Sequence, residues 1–148
     1  MKKFTITEFN PCRCFRSQED ARNWLLKNIY RLEDLINIEI KEPEYLDDVP
    51  EFIRPDIYGK IRNSRDLLVV SINLDKKITN DDLKKFLDTV AFNDASLAVW
   101  VLTEIDERLQ CMLEWISQKM EPKVEFLILK LSAFEIEKSG PALSLDRM

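Results

Sequence analysis

The residues best suited to chemistry surround one Pro-Asp pair near the middle of the chain. Asp56 occurs in the segment 54–58, which reads RPDIY, and the apolar run 67–72 follows after a polar turn. Asp75 and Lys77 come directly after that run. Carboxylates are ligands that Mg²⁺ prefers, and a lysine beside them can orient an attacking water or stabilise developing phosphate charge. We therefore take Asp56, Asp75 and Lys77 as the candidate catalytic residues, with Asp56 and Asp75 as the metal ligands.

Composition narrows the chemistry that is open to this chain. No histidine is present among the 148 residues, which excludes Ser-His-Asp and Cys-His catalysis and His-based zinc sites. The formal net charge is −5, whereas general nucleic-acid coats carry a basic footprint. The length and the ordinary apolar content predict one globular domain, residues 1–148.

The cysteines and the start of the chain give the expected compartment. Cys12, Cys14 and Cys111 form an odd set, and no apolar segment follows the basic start as it would in a signal peptide. No stretch reaches the length of a membrane span. We therefore expect a cytoplasmic protein with reduced thiols. Cys12 and Cys14 could begin a metal site, but only one further cysteine exists to complete it.

The predicted elements place the candidate residues in a mixed α/β fold. Apolar periodicity and capping signals predict the order α-β-β-β-α-β-α-β, a central mixed β-sheet of four to six strands flanked by helices. The helices are expected over 18–36 with a break near Tyr30, from 79–82, and from 103–106 to Pro122. The strands are expected near 38–41, 52–58, 67–72, 97–102 and 124–131, with 134–136 as an extension. Residues 1–16 are interpreted as an arm or edge strand and residues 139–148 as a tail.

The apolar stripes predict which faces of the helices are buried. The third helix carries a stripe at helical spacing, with Leu109 and Met112 among its members. Trp24, Trp100 and Trp115 lie on such stripes, so we predict that all three are core residues and not base-stacking platforms.

Several of these segments resemble the PD-(D/E)XK nuclease superfamily, and in particular a prokaryotic, mostly uncharacterised nuclease-fold family. Members of that family carry R-x-D-I-L, a turn, and V-V-I-E-N-Q before a helix. They continue with a strand ending V-V-W-I and a helix bearing A-L-D-W-L. This chain is similar in segments 54–58 (RPDIY), 69–74 (VVSINL), 98–101 (AVWV) and 112–116 (MLEWI). The resemblance covers about residues 18–136 and implies a restriction-endonuclease-like fold.

The same resemblance implies that the catalytic motif is degenerate. When Val69 and Val70 are matched to the family's V-V, the acid and the following Gln fall on Ile72 and Leu74, which cannot bind a hard cation. Asp75 could replace the lost acid, but it points away from the face of Ile72 unless a bulge intervenes. Glu44, before the Pro-Asp strand, is a further candidate metal ligand.

The expected function is accordingly a nuclease-fold protein that binds nucleic acid or a partner protein without cutting. One alternative is an active Mg²⁺-dependent endonuclease, and another is a protein-interaction or inhibitory accessory subunit. A homodimer is a further expectation by analogy. A basic face for DNA or RNA would comprise Lys60, Arg62, Arg65, Lys76 and Lys84. The alternative reading of Asp56 is structural, as a residue that closes the turn or pairs with Arg54 or Lys60.

Overall fold

The computed structural model describes residues 5–74, 77–137 and 140–147. The described residues form seven strands and four helices. The strands are β1 (Ile6–Phe9), β2 (Ile40–Glu44), β3 (Ile57–Ile61), β4 (Leu67–Asn73), β5 (Leu97–Leu102), β6 (Glu125–Ile136) and β7 (Gly140–Arg147). The helices are α1 (Gln18–Lys27), α2 (Ile29–Ile36), α3 (Asn80–Phe92) and α4 (Glu107–Lys119). Short 3₁₀ turns cover Pro11–Cys14 and Glu51–Ile53.

The strands form one mixed sheet, which confirms the predicted α/β class. The strand order is β1-β6-β5-β4-β3-β2, and β7 pairs with the long strand β6. The pairs β4–β5 and β5–β6 are parallel, and the other pairs are antiparallel. β4 and β5 are paired in parallel and covered on both faces, and residues 67–70 of β4 and all of β5 are accordingly apolar. The carboxyl ends of these two strands therefore lie at the same edge of the sheet.

Each face of the sheet buries its own apolar cluster. One cluster places Leu25 and Leu32, from α1 and α2, against Ile72 and its same-face neighbours. The other packs α3 and α4 against the opposite face, where Trp100 stacks on Phe86 with ring centroids 4.4 Å apart. Trp100 is thus a core residue, as predicted.

The predicted first helix is divided into two at Asn28, close to the break expected near Tyr30. Ser17 caps α1 by accepting a hydrogen bond from the Asp20 N–H. At Asn28 the chain leaves helical geometry, and the Asn28 side chain donates to the Trp24 carbonyl. A side chain that bonds to the backbone of the preceding turn competes with helix propagation, so α2 begins as a separate helix.

Two segments differ from the sequence-based expectation. Residues 52–58 were expected to form a strand, but Glu51–Ile53 is a 3₁₀ turn and β3 begins only at Ile57. Residues from Ser139 were expected to be a tail, but Gly140–Arg147 forms β7 along β6. Leu143 and Leu145 alternate with polar residues and pack against the α1–α2 cluster, which explains why this segment joins the sheet.

The prediction that Trp115 is buried is wrong. Trp115 is 61% exposed and Met112 is 43% exposed, whereas Leu113 is 2% exposed. Leu109 lies at helical spacing from both Met112 and Leu113, so the sequence allows two overlapping apolar stripes. In the structure, α4 turns the stripe with Leu109 and Leu113 toward the sheet. This orientation leaves Trp115 on the outer face.

None of the helices in the described ranges combines the length and apolarity needed to cross a bilayer.

Candidate functional site

Asp56 lies where β3 begins and β4 ends. Ile57 pairs with Val70, and the Asp56 N–H donates to the Val70 carbonyl at 2.9 Å. The preceding residue, Pro55, has no N–H to offer to a ladder, so the regular pairing of the two strands stops at this point. The antiparallel register therefore brings the Asp56 side chain to the carboxyl end of β4.

The Asp56 carboxylate is held by hydrogen bonds from inside the protein. The Ile72 N–H donates to Asp56 Oδ2 at 2.6 Å. Gln18 Nε2 donates to both carboxylate oxygens at 3.2 Å and to the Ile72 carbonyl at 2.5 Å. The carboxylate thus takes the place of a strand partner for the Ile72 N–H. Through Gln18, the start of α1 is hydrogen-bonded to both Asp56 and Ile72.

Burial sets the acidity of Asp56. Removal of the carboxyl from solvent raises its pKa above the usual value for an aspartic acid. The hydrogen bonds from Ile72 and Gln18 and the charges of Arg22 and Lys85 act in the opposite direction. The desolvation effect is the largest, so the folded protein favours the protonated carboxyl more than an exposed aspartic acid would.

A cavity of about 390 Å³ opens beside Asp56. It lies between α1, the segment 45–56, the end of β4, and α3. We call it the Asp56 cavity and define it by its sixteen lining residues: Gln18, Arg22, Tyr45, Glu51, Arg54, Pro55, Asp56, Ser71, Ile72, Asn73, Leu74, Asp82, Lys85, Phe86, Thr89 and Trp100.

One wall of the Asp56 cavity consists of two arginines around one tyrosine. The Arg22 guanidinium lies over the Tyr45 ring, with its carbon 3.5 Å from the ring centroid. Arg54 donates to the Tyr45 hydroxyl at 2.7 Å and to the carbonyls of Val49 and Asp47 at 2.7 and 3.2 Å. These contacts fix the segment that leads into β3 and hold Arg22 at the edge of the cavity.

The described residues do not by themselves make the Mg²⁺ site that the endonuclease alternative requires. Magnesium requires several oxygen ligands in near-octahedral geometry. Ile72 and Leu74 contribute aliphatic side chains to the Asp56 cavity, and both Asp56 oxygens accept internal hydrogen bonds. Within residues 5–74, 77–137 and 140–147, no three Asp, Glu or Cys side chains converge as a metal site would require.

Among the described residues, neither Lys77 nor Glu44 lines the Asp56 cavity. Asp75 lies outside the described residues. Lys77 is exposed and lines a separate cleft between the starts of α3 and α4. Glu44 ends β2 as an exposed residue opposite Tyr58, and its neighbour Tyr45 lines the Asp56 cavity.

The predicted basic residues occupy two different parts of the molecule. Lys60, Arg62 and Arg65 belong to β3 and the β3–β4 hairpin, at the opposite end of β4 from Asp56. Lys60 pairs with Glu42 at 3.6 Å, and Arg62 pairs with Glu39. Lys84 lies on α3 and pairs with Asp88 at 3.0 Å. Lys76 lies outside the described residues. The four placed residues therefore do not form one continuous face.

Sequence reasoning missed most of the side chains that surround Asp56. Gln18 and Arg22 are four residues apart on α1, and this spacing puts both on one helical face. Lys85 follows the predicted basic residue Lys84 and was not singled out by its sequence context. The helical spacing was a usable signal for the first two residues, but it does not reveal which strand end the face approaches.

Comparison with known proteins adds no relative to this description. No family model, no curated protein and no solved structure matches the chain.

Proposed function

We propose that this chain is a catalytically degenerate protein of the PD-(D/E)XK nuclease type, which binds a macromolecular partner without cutting it. The observation that carries the proposal is the internal use of Asp56. Its carboxylate completes the hydrogen bonding of β4 through Ile72 and receives Gln18. At the two matched positions on β4 the side chains are those of Ile72 and Leu74, which offer no ligand to a metal.

A protein is the partner that the surface supports best. Phe52 is 69% and Phe92 is 56% exposed. They adjoin Ile53 and Asn93, which are joined by a hydrogen bond from Asn93 Nδ2 to the Ile53 carbonyl at 3.2 Å. Exposed aromatic residues brought together in this way are typical of protein-binding surfaces. Glu51, next to Phe52, lines the Asp56 cavity, so this surface adjoins the candidate site.

Nucleic acid is the second candidate, and electrostatics make it the weaker one. Binding to a phosphate backbone depends on uncompensated positive charge. The chain carries a net charge of −5, and Lys60, Arg62 and Lys84 are each paired with an acid. In favour of nucleic acid, Arg22 and Lys85 line the Asp56 cavity.

The absence of cleavage is tested with plasmid DNA and structured RNA in Mg²⁺ or Mn²⁺. We expect the wild-type chain to cut no faster than Asp56→Ala, with Asp48→Ala as a control at an exposed loop acid. Nicking by the wild type and by Asp48→Ala, but not by Asp56→Ala, would instead support the alternative of a Mg²⁺-dependent endonuclease, in which Asp56 acts with Asp75 and Lys77.

Binding is tested by anisotropy with single- and double-stranded oligonucleotides at low salt, and by affinity measurements on a purified partner recovered with the immobilised chain. We expect no retention of DNA or RNA. We expect Phe52→Ser to weaken partner binding at least about tenfold, as loss of an aromatic anchor does. Ile6→Ser is the matched control, because Ile6 is 62% exposed on β1, at the opposite edge of the sheet. Equal effects of the two substitutions would contradict the proposed surface.

A further inference from the structure

The Asp56 cavity is lined by equal numbers of acidic and basic side chains, but the acids are the more fully engaged. Asp82 accepts hydrogen bonds from the Thr79 N–H and hydroxyl, both at 2.9 Å, in the capping box of α3. Asp56 is occupied by Ile72 and Gln18. The third acid, Glu51, is exposed. Two of the three acids therefore have their hydrogen-bonding capacity directed into the fold.

The basic side chains of the cavity keep more of their hydrogen-bonding capacity unused. Arg54 donates only to neutral oxygens, the Tyr45 hydroxyl and two carbonyls. Lys85 lines the cavity, and no ion pair between residues that the structure describes involves its ammonium group. The Lys85 ammonium group and the Arg22 Nε therefore carry donor capacity that is unused among the described residues.

Arg22 supplies the sharpest sign of a missing partner. Its side chain is 12% exposed, and its Nε is the one buried side-chain nitrogen or oxygen in the described part of the chain without a hydrogen-bond partner. The nearest acid is Glu19, at 4.0 Å from the terminal Nη2, and that side chain is 72% exposed. Buried N–H groups in native proteins are almost always satisfied, so the Arg22 guanidinium keeps hydrogen-bonding capacity that the described residues do not use.

We propose that the Asp56 cavity binds a small ligand through an oxyanion, a carboxylate or a phosphate, which pairs with the Arg22 guanidinium and with the Lys85 ammonium group. Tyr45 holds the guanidinium in place by stacking, so the donor is oriented before the ligand arrives. A volume of about 390 Å³ lies within the range of small-molecule sites. This inference does not depend on a macromolecular partner, and it requires no metal ion.

The full-length chain is titrated with sodium phosphate and, separately, with sodium acetate, while sodium chloride keeps the ionic strength constant. Thermal unfolding and titration calorimetry report binding. We expect saturable stabilisation by at least one of the two anions. The apparent Kd should rise at least about tenfold in Arg22→Met, which removes a charge-assisted hydrogen bond and keeps an apolar stem against Tyr45.

The neighbouring lysines on α3 give a matched control. Lys85→Met is expected to weaken anion binding severalfold, whereas Lys84→Met should leave it unchanged, because Lys84 is paired with Asp88 and does not line the cavity. Both lysines are exposed, so neither change threatens the fold. If Arg22→Met unfolds, the comparison of the two lysine variants decides the question.

Asp56→Asn separates this site from a metal site. Removing the negative charge should strengthen anion binding, whereas a site that holds its ligand through a cation would lose it. The proposal is overturned if the wild type shows no saturable response to either anion, if Lys84→Met and Lys85→Met behave alike, or if Asp56→Asn abolishes binding. An anion site with no oligonucleotide or protein binding would leave this inference standing and remove the proposed function.

Discussion

At the scale of single residues, Asp56 illustrates how one carboxylate can serve the backbone. Its oxygen accepts the Ile72 N–H at 2.6 Å, at a position where β3 provides no strand partner. In a metal site the same oxygens would be turned toward a cation. The geometry at Asp56 therefore shows a hydrogen-bonding role within the fold that the local sequence does not reveal.

Removal of that acceptor should destabilise the protein. In Asp56→Ala the Ile72 N–H loses its partner at a half-buried position, which costs about 1–3 kcal/mol of unfolding free energy. Urea denaturation monitored by circular dichroism measures the change. Asp48→Ala, at an exposed loop acid, should stay within about 0.5 kcal/mol of the wild type. An equally small effect of Asp56→Ala would show that Asp56 does not support β4.

The pH dependence of Asp56→Asn follows from the direction of the pKa shift. Burial raises the folded-state pKa of Asp56 above its usual value. The stability that this group contributes is therefore fully present below about pH 4, the usual carboxyl pKa, and is lost as pH rises through the raised folded-state pKa. As pH rises from below about 4 to neutrality, we therefore expect the free energy of unfolding of Asp56→Asn to increase relative to that of the wild type. Urea midpoints across this range test it, and a difference that is independent of pH contradicts it.

At the scale of elements, close packing fixes the strands that carry Asp56. Gly59, within β3, lies directly against β2. A Cβ atom built at Gly59 would lie 2.7 Å from Ile40 Cγ2, which is closer than such atoms approach one another. The absence of a side chain at Gly59 therefore permits the β2–β3 spacing, and β3 in turn presents Asp56 to β4.

Gly59→Ala should consequently lower the free energy of unfolding by about 1–3 kcal/mol, the usual effect of overpacking. Urea denaturation measures the loss. Ile40→Leu removes the branched methyl at the point of contact, so the double variant should lose less stability than the sum of the two single variants. Strict additivity would show that Gly59 does not act through Ile40.

At the scale of the whole molecule, two apolar clusters share one sheet. Leu25 anchors the cluster of α1 and α2, and Leu113 anchors the cluster of α3 and α4. Strands β4 and β5 contribute side chains to both. Because neither cluster can form without these strands, the two faces should unfold together.

Leu25→Ala and Leu113→Ala test this coupling. Each should cost about 2–5 kcal/mol, the range for truncation of a buried leucine. Circular dichroism and tryptophan fluorescence should report the same single urea transition in both variants. Separate transitions in either variant would show that the predicted single domain consists of two independently stable parts.

Most of the sheet could be predicted from local sequence. Segments 67–72 and 97–102 are apolar on both faces, and this pattern marks strands covered by helices whatever their neighbours are. Capping signals at Ser17 and Thr79 located the starts of α1 and α3. The orientation of α4 was not predictable in this way, because two overlapping stripes offered nearly equal apolar faces and only contact with the sheet selected Leu113 over Met112.

The sequence by itself determined the chemistry that is available to this protein: carboxylates, lysines and arginines, without histidine, and a Pro-Asp pair beside an apolar strand. Only the tertiary structure decided how Asp56 is used. Gln18 reaches Asp56 across 38 residues, and Arg22 and Lys85 come to the same cavity from different helices. Such contacts depend on strand register and helix placement, which short-range sequence patterns do not encode.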